Sequence, residues 1–325
     1  MIVLSARTHS FILKLVVGAV LISTLALADQ TPHIGVLVDP GNTQWDEGLR
    51  EGLGDLGYVE GKTIFVEWRR SPGMTDDLRR SAADLMRLKV DLLVAAGTPR
   101  ARAALEATST IPVVFTSGDP VASGLAKSLH HPGGNGTGVA TLTTELIGKC
   151  LELLHEVIPK ARRIVYLKNS SNPNDARQLE EAETSARKLG VRLVVLDARN
   201  ATELATVLHT LSRNTADGVL VAGDFLLNTN VATIASAVRK SKLSAIVPWM
   251  QKPEGGLLMS YGVNIKEIGR HAAVFVDRIL KGAKPADVPI EQISNYELIV
   301  DLRAARALGV KVPQELLLRA DEVIR

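Results

Sequence analysis

The chain has 325 residues, of which 46% are hydrophobic and only 4% aromatic, and its 38 Lys and Arg are matched by 35 Asp and Glu. This length is too great for one small core and suits two lobes of roughly 100–150 residues each, while the aliphatic composition suits parallel α/β sheets. The nearly even charge gives no support for binding to nucleic acid or to an anionic membrane surface.

The first 28 residues have the pattern of a secretory signal peptide. Arg7 and Lys14 are the only charged residues before Asp29, an apolar run follows Lys14, and Ala26-Leu27-Ala28 is a small-x-small cleavage pattern. The apolar run is shorter than the about 20 residues that a membrane span needs. We therefore expect cleavage after Ala28 and a mature protein in the periplasm, with 36 basic and 35 acidic residues.

Cys150 is the single cysteine. It lies far from the predicted cleavage point and inside a helical pattern, so the sequence predicts neither a lipid anchor nor an internal disulfide.

The mature chain alternates strands and helices twice over. The first half is predicted to contain strands at 33–38, 63–68, 90–96 and 111–115, with helices at 43–56, 76–88 and 100–108. The second half is predicted to contain strands at 163–167, 192–196, 218–222 and 245–249, with helices at 144–158, 177–189, 201–211 and 231–241. Further strands are expected at 256–261 and 298–300 and helices at 265–280 and 302–308, whereas 285–293 shows no periodicity.

This repetition predicts an α/β fold of two similar lobes, each a parallel sheet flanked by helices and built with right-handed crossovers. We expect lobe 1 to comprise residues 29–141 plus about 262–288, and lobe 2 to comprise residues 142–261 plus about 289–325. Chain crossings near Thr141, Tyr261 and Pro289 would then form a hinge of several segments.

Two apolar runs resemble each other closely. In each run an Asp opens the segment, a Gly stands six residues later, and a polar or acidic residue closes it, which gives Asp91 to Thr98 and Asp217 to Asp224. A buried strand followed by a tight turn and a helix places ligand groups at the carboxyl edge of a parallel sheet. We therefore expect Thr98 and Asp224 to occupy equivalent tips of the two sheets and to grip one small molecule across a cleft.

Catalytic chemistry has little support in the sequence. None of the seven histidines forms a His-x-x-x-His pair or lies at metal-ligand spacing from acidic residues, and there is no Gly-x-Ser-x-Gly elbow or phosphate loop. Gly134, Gly136 and Gly138 precede a predicted strand rather than a helix, which is the wrong geometry for a dinucleotide site. We predict no catalytic residue, metal or cofactor.

Ligand binding has more support, because polar groups recur at the predicted strand ends. Gly97, Thr98 and Ser117 lie just before helical patterns, where free backbone N–H groups attract an anion such as a carboxylate. Asp224 could receive a ligand ammonium or could cap the helix that follows, and the sequence leaves both roles open.

Three of the few aromatic residues, Trp45, Trp249 and Tyr261, fall where a strand meets a loop or where a loop meets a helix, so they could line the cleft or pack in the core. The complete set of candidate ligand-binding residues is Trp45, Gly97, Thr98, Ser117, Thr141, Asn169, Asp224, Trp249 and Tyr261.

Several segments together carry a family resemblance over nearly the whole mature chain. They are Gly52–Gly61 (GLGDLGYVEG), Ala96–Pro99 (AGTP), Ile111–Phe115 (IPVVF), Gly118–Val121 (GDPV), His131–Asn135 (HPGGN), Gly255–Gly262 (GGLLMSYG) and Val276–Pro285 (VDRILKGAKP). The chain resembles the ABC-transporter substrate-binding proteins of the type I periplasmic binding fold, in the group related to tryptophan and tyrosine uptake receptors.

The resemblance implies a monomeric binding protein without enzymatic activity that delivers a small ligand, an aromatic or branched amino acid being the candidate, to a membrane permease powered by a separate ATPase. Closure of two lobes around the ligand would present a closed surface to that permease. Two alternatives remain open at this point: a ligand-sensing module for a signalling partner, which would use the same fold, and an enzyme in the inter-lobe cleft, which the missing acid/base constellation disfavours.

Overall fold

The computed structural model describes residues 31–41, 43–71, 75–249, 253 and 255–325. The predicted signal peptide and its cleavage point after Ala28 lie outside the described residues. Within the described part, the strands form two separate sheets, in agreement with the duplicated sequence pattern.

The first sheet has six strands, all in parallel pairs. Its strands are β1 (His33–Val38), β2 (Phe65–Arg70), β3 (Leu92–Ala96), β4 (Val113–Ser117), β5 (Gly136–Ala140) and β11 (Glu291–Gln292), with helices α1 (Thr43–Asp55), α2 (Thr75–Arg87) and α3 (Thr98–Ala107) between the early strands. The strand order is β11-β5-β4-β3-β1-β2. Every residue of the central strand β3 is buried, as expected of an apolar run covered on both faces.

The second sheet has seven strands. They are β6 (Arg163–Lys168), β7 (Arg192–Asp197), β8 (Gly218–Val221), β9 (Ser244–Val247), β10 (Met259–Gly262), β12 (Glu297–Asp301) and β13 (Glu322–Ile324), in the order β13-β12-β10-β9-β8-β6-β7. The helices of this lobe are α4 (Thr143–Val157), α5 (Asp175–Leu189), α6 (Ala201–Leu208), α7 (Phe225–Thr229), α8 (Val231–Lys240), α10 (Leu302–Leu308) and α11 (Gln314–Arg319). The fold class predicted from sequence, two similar α/β lobes on parallel sheets, is confirmed.

The C-terminal part of the chain passes between the sheets. Helix α9 (Ile265–Leu280) follows β10 of the second sheet but packs mainly on α1 of the first lobe. A short 3-10 helix at Pro285–Asp287 leads to β11 in the first sheet, and the chain then returns to β12 in the second.

Two details differ from the sequence prediction. Glu291–Gln292 pairs with β5 of the first sheet, whereas residues from about 289 were expected in lobe 2; a strand of two residues is too short to show a periodicity. Strand β12 runs antiparallel to β10, so the second sheet is not purely parallel. The chain enters β12 from the other lobe rather than through a strand–helix–strand crossover, and only such crossovers require parallel strands.

Candidate functional site

A cavity lies between the two sheets, at the carboxyl ends of their central strands. The empty space at this position, including the open mouth, is about 670 Å³. Residues from both lobes line it: Trp45, Thr98, Pro99, Thr116, Ser117, Gly118, Thr141, Thr143, Asn172, Asn174, Gly223, Asp224, Phe225, Asn228, Pro248, Trp249, Ile265 and Ile268. The predicted position of the site, outside the strand ends of two facing sheets, is where the cavity is found.

Six of the nine residues predicted from sequence line this cavity, namely Trp45, Thr98, Ser117, Thr141, Asp224 and Trp249. The remaining three do not line it. Gly97 lies at the start of α3, behind the ring of Phe225. Asn169 contacts Asp224 through its side-chain amide.

Tyr261 is the third of these residues, and it lies in β10, away from the cavity lining. Its ring packs on Tyr296, with 6.0 Å between the ring centroids. Its carbonyl oxygen accepts a weak hydrogen bond from the buried Cys150 thiol at 3.8 Å. These contacts suit a packing role for Tyr261.

Asp224 stands at the tip of β8, as its sequence position indicates. Its Oδ1 accepts a hydrogen bond from the Leu227 N–H at 3.2 Å, so the carboxylate caps the short helix α7. The Asn169 side-chain amide lies 3.2 Å from both carboxylate oxygens, and the Asn172 amide donates to Oδ2 at 2.9 Å. Helix capping, one of the two roles left open by the sequence, is therefore present.

The charge of Asp224 is solvated by neutral donors only. Among the described residues, no ion pair joins Asp224 to a cationic side chain. The residue is half-buried by surface area because it borders the cavity, but it lies deep in the cleft, and desolvation there raises the pKa of the Asp224 carboxyl although the hydrogen bonds of Asn169 oppose this rise. The buried Arg100 guanidinium attracts Asp224 only at longer range, so a cation arriving in the cavity could form a direct ion pair with the carboxylate.

The backbone before Asp224 is held by Gln178, a buried residue of α5. The Gln178 side chain accepts from the Gly223 N–H at 2.7 Å and donates to the Gly223 carbonyl at 3.0 Å. This two-bond contact imitates strand pairing and fixes the turn that presents Asp224 to the cavity.

Hydroxyl groups collect on the opposite side of the cavity. The hydroxyl oxygens of Thr98 and Ser117 are 2.8 Å apart, and the Thr141 hydroxyl donates to the Ser117 carbonyl at 3.3 Å. The Asn174 amide, from the other lobe, donates to the Thr98 hydroxyl at 3.1 Å. The Asn174 Oδ1 atom is buried without a hydrogen-bond partner.

Two helices begin at this cluster without a side-chain cap. Helix α3 follows Gly97 and helix α4 follows Leu142, and neither preceding residue caps the helix with its side chain. Uncapped N–H groups and the helix dipole favour an anion. In α3, Pro99 carries no N–H and the Arg100 N–H already donates to the Gly97 carbonyl at 3.1 Å, so Thr98 offers the one free N–H among the first three residues. Leu142 itself has the left-handed backbone angles φ 44° and ψ 38°.

Aromatic and aliphatic side chains form the third wall of the cavity: Trp45, Phe225, Pro248, Trp249, Ile265 and Ile268. Glycines bring two of them into place by allowing close backbone approach. A Cβ on Gly269 would lie 2.3 Å from the Trp45 carbonyl oxygen, and a Cβ on Gly262 would lie 2.5 Å from the Trp249 Cα. The cavity therefore combines one acidic, one anion-favouring and one apolar wall.

Sequence reasoning missed several lining residues, among them Asn172, Asn174 and Phe225. The two asparagines lie in a polar loop after β6 in which Asn side chains accept from backbone N–H groups two residues later, at 2.9 Å and 3.0 Å. The position of this loop, which matches that of the loop after β1, was the available signal.

Among the described residues, no group of three His, Cys, Asp or Glu side chains could hold a metal ion.

The family comparison agrees with this geometry. Residues 34–324 match the model of the family described as ABC transporter substrate binding protein. A curated relative, the tyrosine-binding protein of Clostridioides difficile (strain R20291), is 27% identical over 266 residues, which cover 82% of this chain and 76% of the relative. No helix in the part of the chain that the structure describes has the length and hydropathy of a membrane span.

Two solved structures of similar sequence identity resemble this chain to different degrees. The ABC domain from Streptococcus pneumonia in complex with L-Trp is 27% identical, with a TM-score of 0.83 over 91% of this chain and 100% of that chain. The ligand-free, open structure of a substrate binding protein with adhesive properties from Clostridium difficile is 26% identical, with a TM-score of 0.63 over 90% and 99%. The identities are nearly equal, and the described conformation is more similar to the L-Trp complex than to the ligand-free, open structure.

The resemblance inferred from sequence is confirmed by these matches, and so is the type I periplasmic binding fold. Capture of a small molecule between the two lobes on behalf of an ABC transporter is the function of such proteins. The chain belongs to the family of ABC transporter substrate-binding proteins.

Proposed function

We propose that this protein binds an α-amino acid with a large apolar side chain and delivers it to an ABC permease and its ATPase. The observation that carries the proposal is Asp224, a carboxylate on the cavity wall with no cationic partner among the described residues. A ligand ammonium would supply that partner, and it would add the attraction of two opposite charges to the hydrogen bonds that the carboxylate already accepts from neutral donors.

The ligand carboxylate would lie at the hydroxyl cluster of Thr98 and Ser117. This cluster adjoins the uncapped starts of α3 and α4, where N–H groups and helix dipoles favour a negative charge. An acidic wall facing an anion-favouring wall fits a zwitterion, and it fits a monovalent cation or anion less well.

The ligand side chain would pack between Trp45 and Trp249, with Phe225 closing the same wall. Flat aromatic walls favour a flat apolar group. The printed ligands of two relatives support this choice, since one is a tyrosine-binding protein and the other was solved with L-Trp.

The remaining parts of the proposal concern location and organisation. Substrate-binding proteins of ABC transporters are typically extracytoplasmic, and we propose that this one is exported, cleaved after Ala28, and acts in the periplasm as a monomer. We propose that lobe 1 comprises residues 29–141 with about 262–292, and that lobe 2 comprises the rest of the mature chain. The cavity would bind its ligand without converting it chemically.

A thermal-shift titration with matched ligands tests the proposal. L-tryptophan and L-tyrosine should raise the melting temperature, since a ligand at 100 times its Kd stabilises the folded state by about 2.7 kcal/mol. Indole-3-propionate has the same ring and carboxylate as L-tryptophan but no ammonium, and it should give little or no shift. Equal shifts from both compounds, or no shift from any of the amino acids, would reject the amino-acid proposal.

A further inference from the structure

One contact between the lobes brings a glycine against an aromatic ring. Gly97 belongs to the first lobe, between β3 and α3, and Phe225 opens α7 of the second lobe. A Cβ on Gly97 would lie 2.2 Å from Cε2 and 2.5 Å from Cδ2 of the Phe225 ring. Such distances do not occur between real atoms, so the ring occupies the space that any side chain at position 97 would need.

The same ring meets a cation that the first lobe holds in place. The Arg100 guanidinium lies 5.6 Å from the centroid of the Phe225 ring. Arg100 is 1% exposed, and it donates to Asp39 Oδ2 at 2.8 Å and to the Ser71 carbonyl at 2.6 Å, both in the first lobe. A desolvated guanidinium over an aromatic face is an attractive contact. The first lobe therefore gives the Phe225 ring two favourable contacts: the open space at Gly97 and the guanidinium of Arg100.

Two other contacts between the lobes are polar. Asn174 donates to the Thr98 hydroxyl at 3.1 Å, and Arg177 lies 3.7 Å from Asp119. Flexible polar side chains can lengthen such contacts by a few tenths of an ångström, whereas a Cβ at residue 97 would require the Phe225 ring itself to move.

We propose that Gly97 and Phe225 form the closure contact of this protein: the lobes close only because residue 97 has no side chain, and Phe225 then seals one wall of the cavity. Gly97 is therefore a positioning residue for ligand binding that acts through Phe225 and does not touch the ligand. The contact depends on the lobe geometry alone and does not require that the ligand be an amino acid.

An engineered disulfide between the lobes, here called the trap, measures lobe closure in the absence of ligand. A Cβ on Gly41 of the first lobe would lie 3.2 Å from the Thr229 Cβ of the second, close to the 3.5–4.5 Å that a disulfide requires. The variant Gly41→Cys/Thr229→Cys should form an intramolecular disulfide with oxidised glutathione only when the lobes close. The native Cys150 is buried and does not compete.

The test adds Gly97→Ala to the trap variant and measures the rate of disulfide formation by free-thiol counting. We expect the rate to fall at least tenfold, and to recover when Phe225→Ala is also introduced, because the clash partner is then gone. Phe225→Ala in the trap without Gly97→Ala is the reference, since a double-mutant cycle isolates the pairwise term.

Three results would overturn the proposal. The first is an unchanged rate in Gly97→Ala. The second is a slow rate that Phe225→Ala does not restore, which would assign the effect to backbone strain at the positive φ of residue 97 (91°) instead of the clash. The third is the absence of any disulfide in the trap variant itself. The amino-acid proposal can fail independently in the thermal-shift titration.

Discussion

The two sheet tips that form the cavity are built alike but offer opposite chemistry. Each is a buried strand, a glycine and a helix start, with Thr98 on one tip and Asp224 on the other. The first tip leaves its helix uncapped and surrounds it with hydroxyls, whereas the second caps its own helix with a carboxylate. One duplicated supersecondary unit can thus supply both the anion-favouring and the cation-favouring side of a zwitterion site, through the single residue after the glycine.

The largest effect should come from removing the charge of the second tip. Asp224→Ala should weaken L-tryptophan binding by about ten- to several-hundred-fold, because a charge-assisted hydrogen bond contributes roughly 1.5–3 kcal/mol and each 1.4 kcal/mol is about tenfold. Calorimetric titration beside a melting curve measures both affinity and stability.

Asn200→Ala is a matched control for the capping role of Asp224. Asn200 caps α6 by accepting from the Glu203 N–H at 2.9 Å, away from the cavity. Its loss should lower stability by about 0.5–2 kcal/mol and leave affinity intact. If Asp224→Ala behaves like Asn200→Ala, with a lower melting point and full affinity, Asp224 is only a cap.

The second effect is a dependence of affinity on pH. Desolvation raises the pKa of the Asp224 carboxyl above its ordinary value of 3.8, so the group takes up a proton at higher pH than an exposed Asp. As the pH falls through that raised pKa, the carboxylate is lost and affinity for an ammonium ligand should fall with it.

The stability of the ligand-free protein should change in the opposite sense. A carboxyl with a raised folded-state pKa contributes stability that is complete below 3.8 and is lost as the pH rises through the folded pKa. Asp224→Asn should remove both trends. Titrations of the two proteins from neutral pH downwards, at pH values where the wild type stays folded, check this, and parallel affinity curves for wild type and Asp224→Asn would refute it.

The smallest effect belongs to the first tip. Thr98→Ala removes one hydroxyl but leaves backbone N–H groups in place, so affinity for L-tryptophan should fall only a few-fold, in line with about 0.5–1.5 kcal/mol for a neutral hydrogen bond. Thr98→Ser keeps the hydroxyl and should bind like the wild type. A loss as large as that of Asp224→Ala would show that the two tips contribute equally to ligand binding.

The sequence predicted the parts of this architecture that depend on local patterns. Apolar runs ending in glycine located β3 and β8, and these placed Thr98 and Asp224 at the cavity. Contacts made by residues far apart in the chain could not be read this way. Gly97 looks like a ligand residue in its own segment, and only the tertiary structure brings the Phe225 ring against it.

The same limit explains the lining residues that were missed and the two-residue strand β11 that was not predicted. Asn172 and Asn174 belong to a loop whose composition predicts only turns. β11 has two residues, and its partner β5 lies in the other half of the chain, so neither periodicity nor proximity in sequence points to the pairing. Tyr261 shares the junction position of Trp249, yet it packs on Tyr296.

Leu142 holds an unfavourable backbone conformation at the passage between the two lobes. It stands where the chain first leaves one sheet for the other, and its left-handed backbone angles are unfavourable for a residue with a Cβ by roughly 1–2 kcal/mol. If opening of the lobes relieves these angles, the backbone strain opposes closure. The affinity for the ligand is then up to about tenfold weaker than the ligand contacts alone would give. Strain that weakens ligand binding also favours reopening of the lobes, which suits a binding protein that must release its ligand to a transporter.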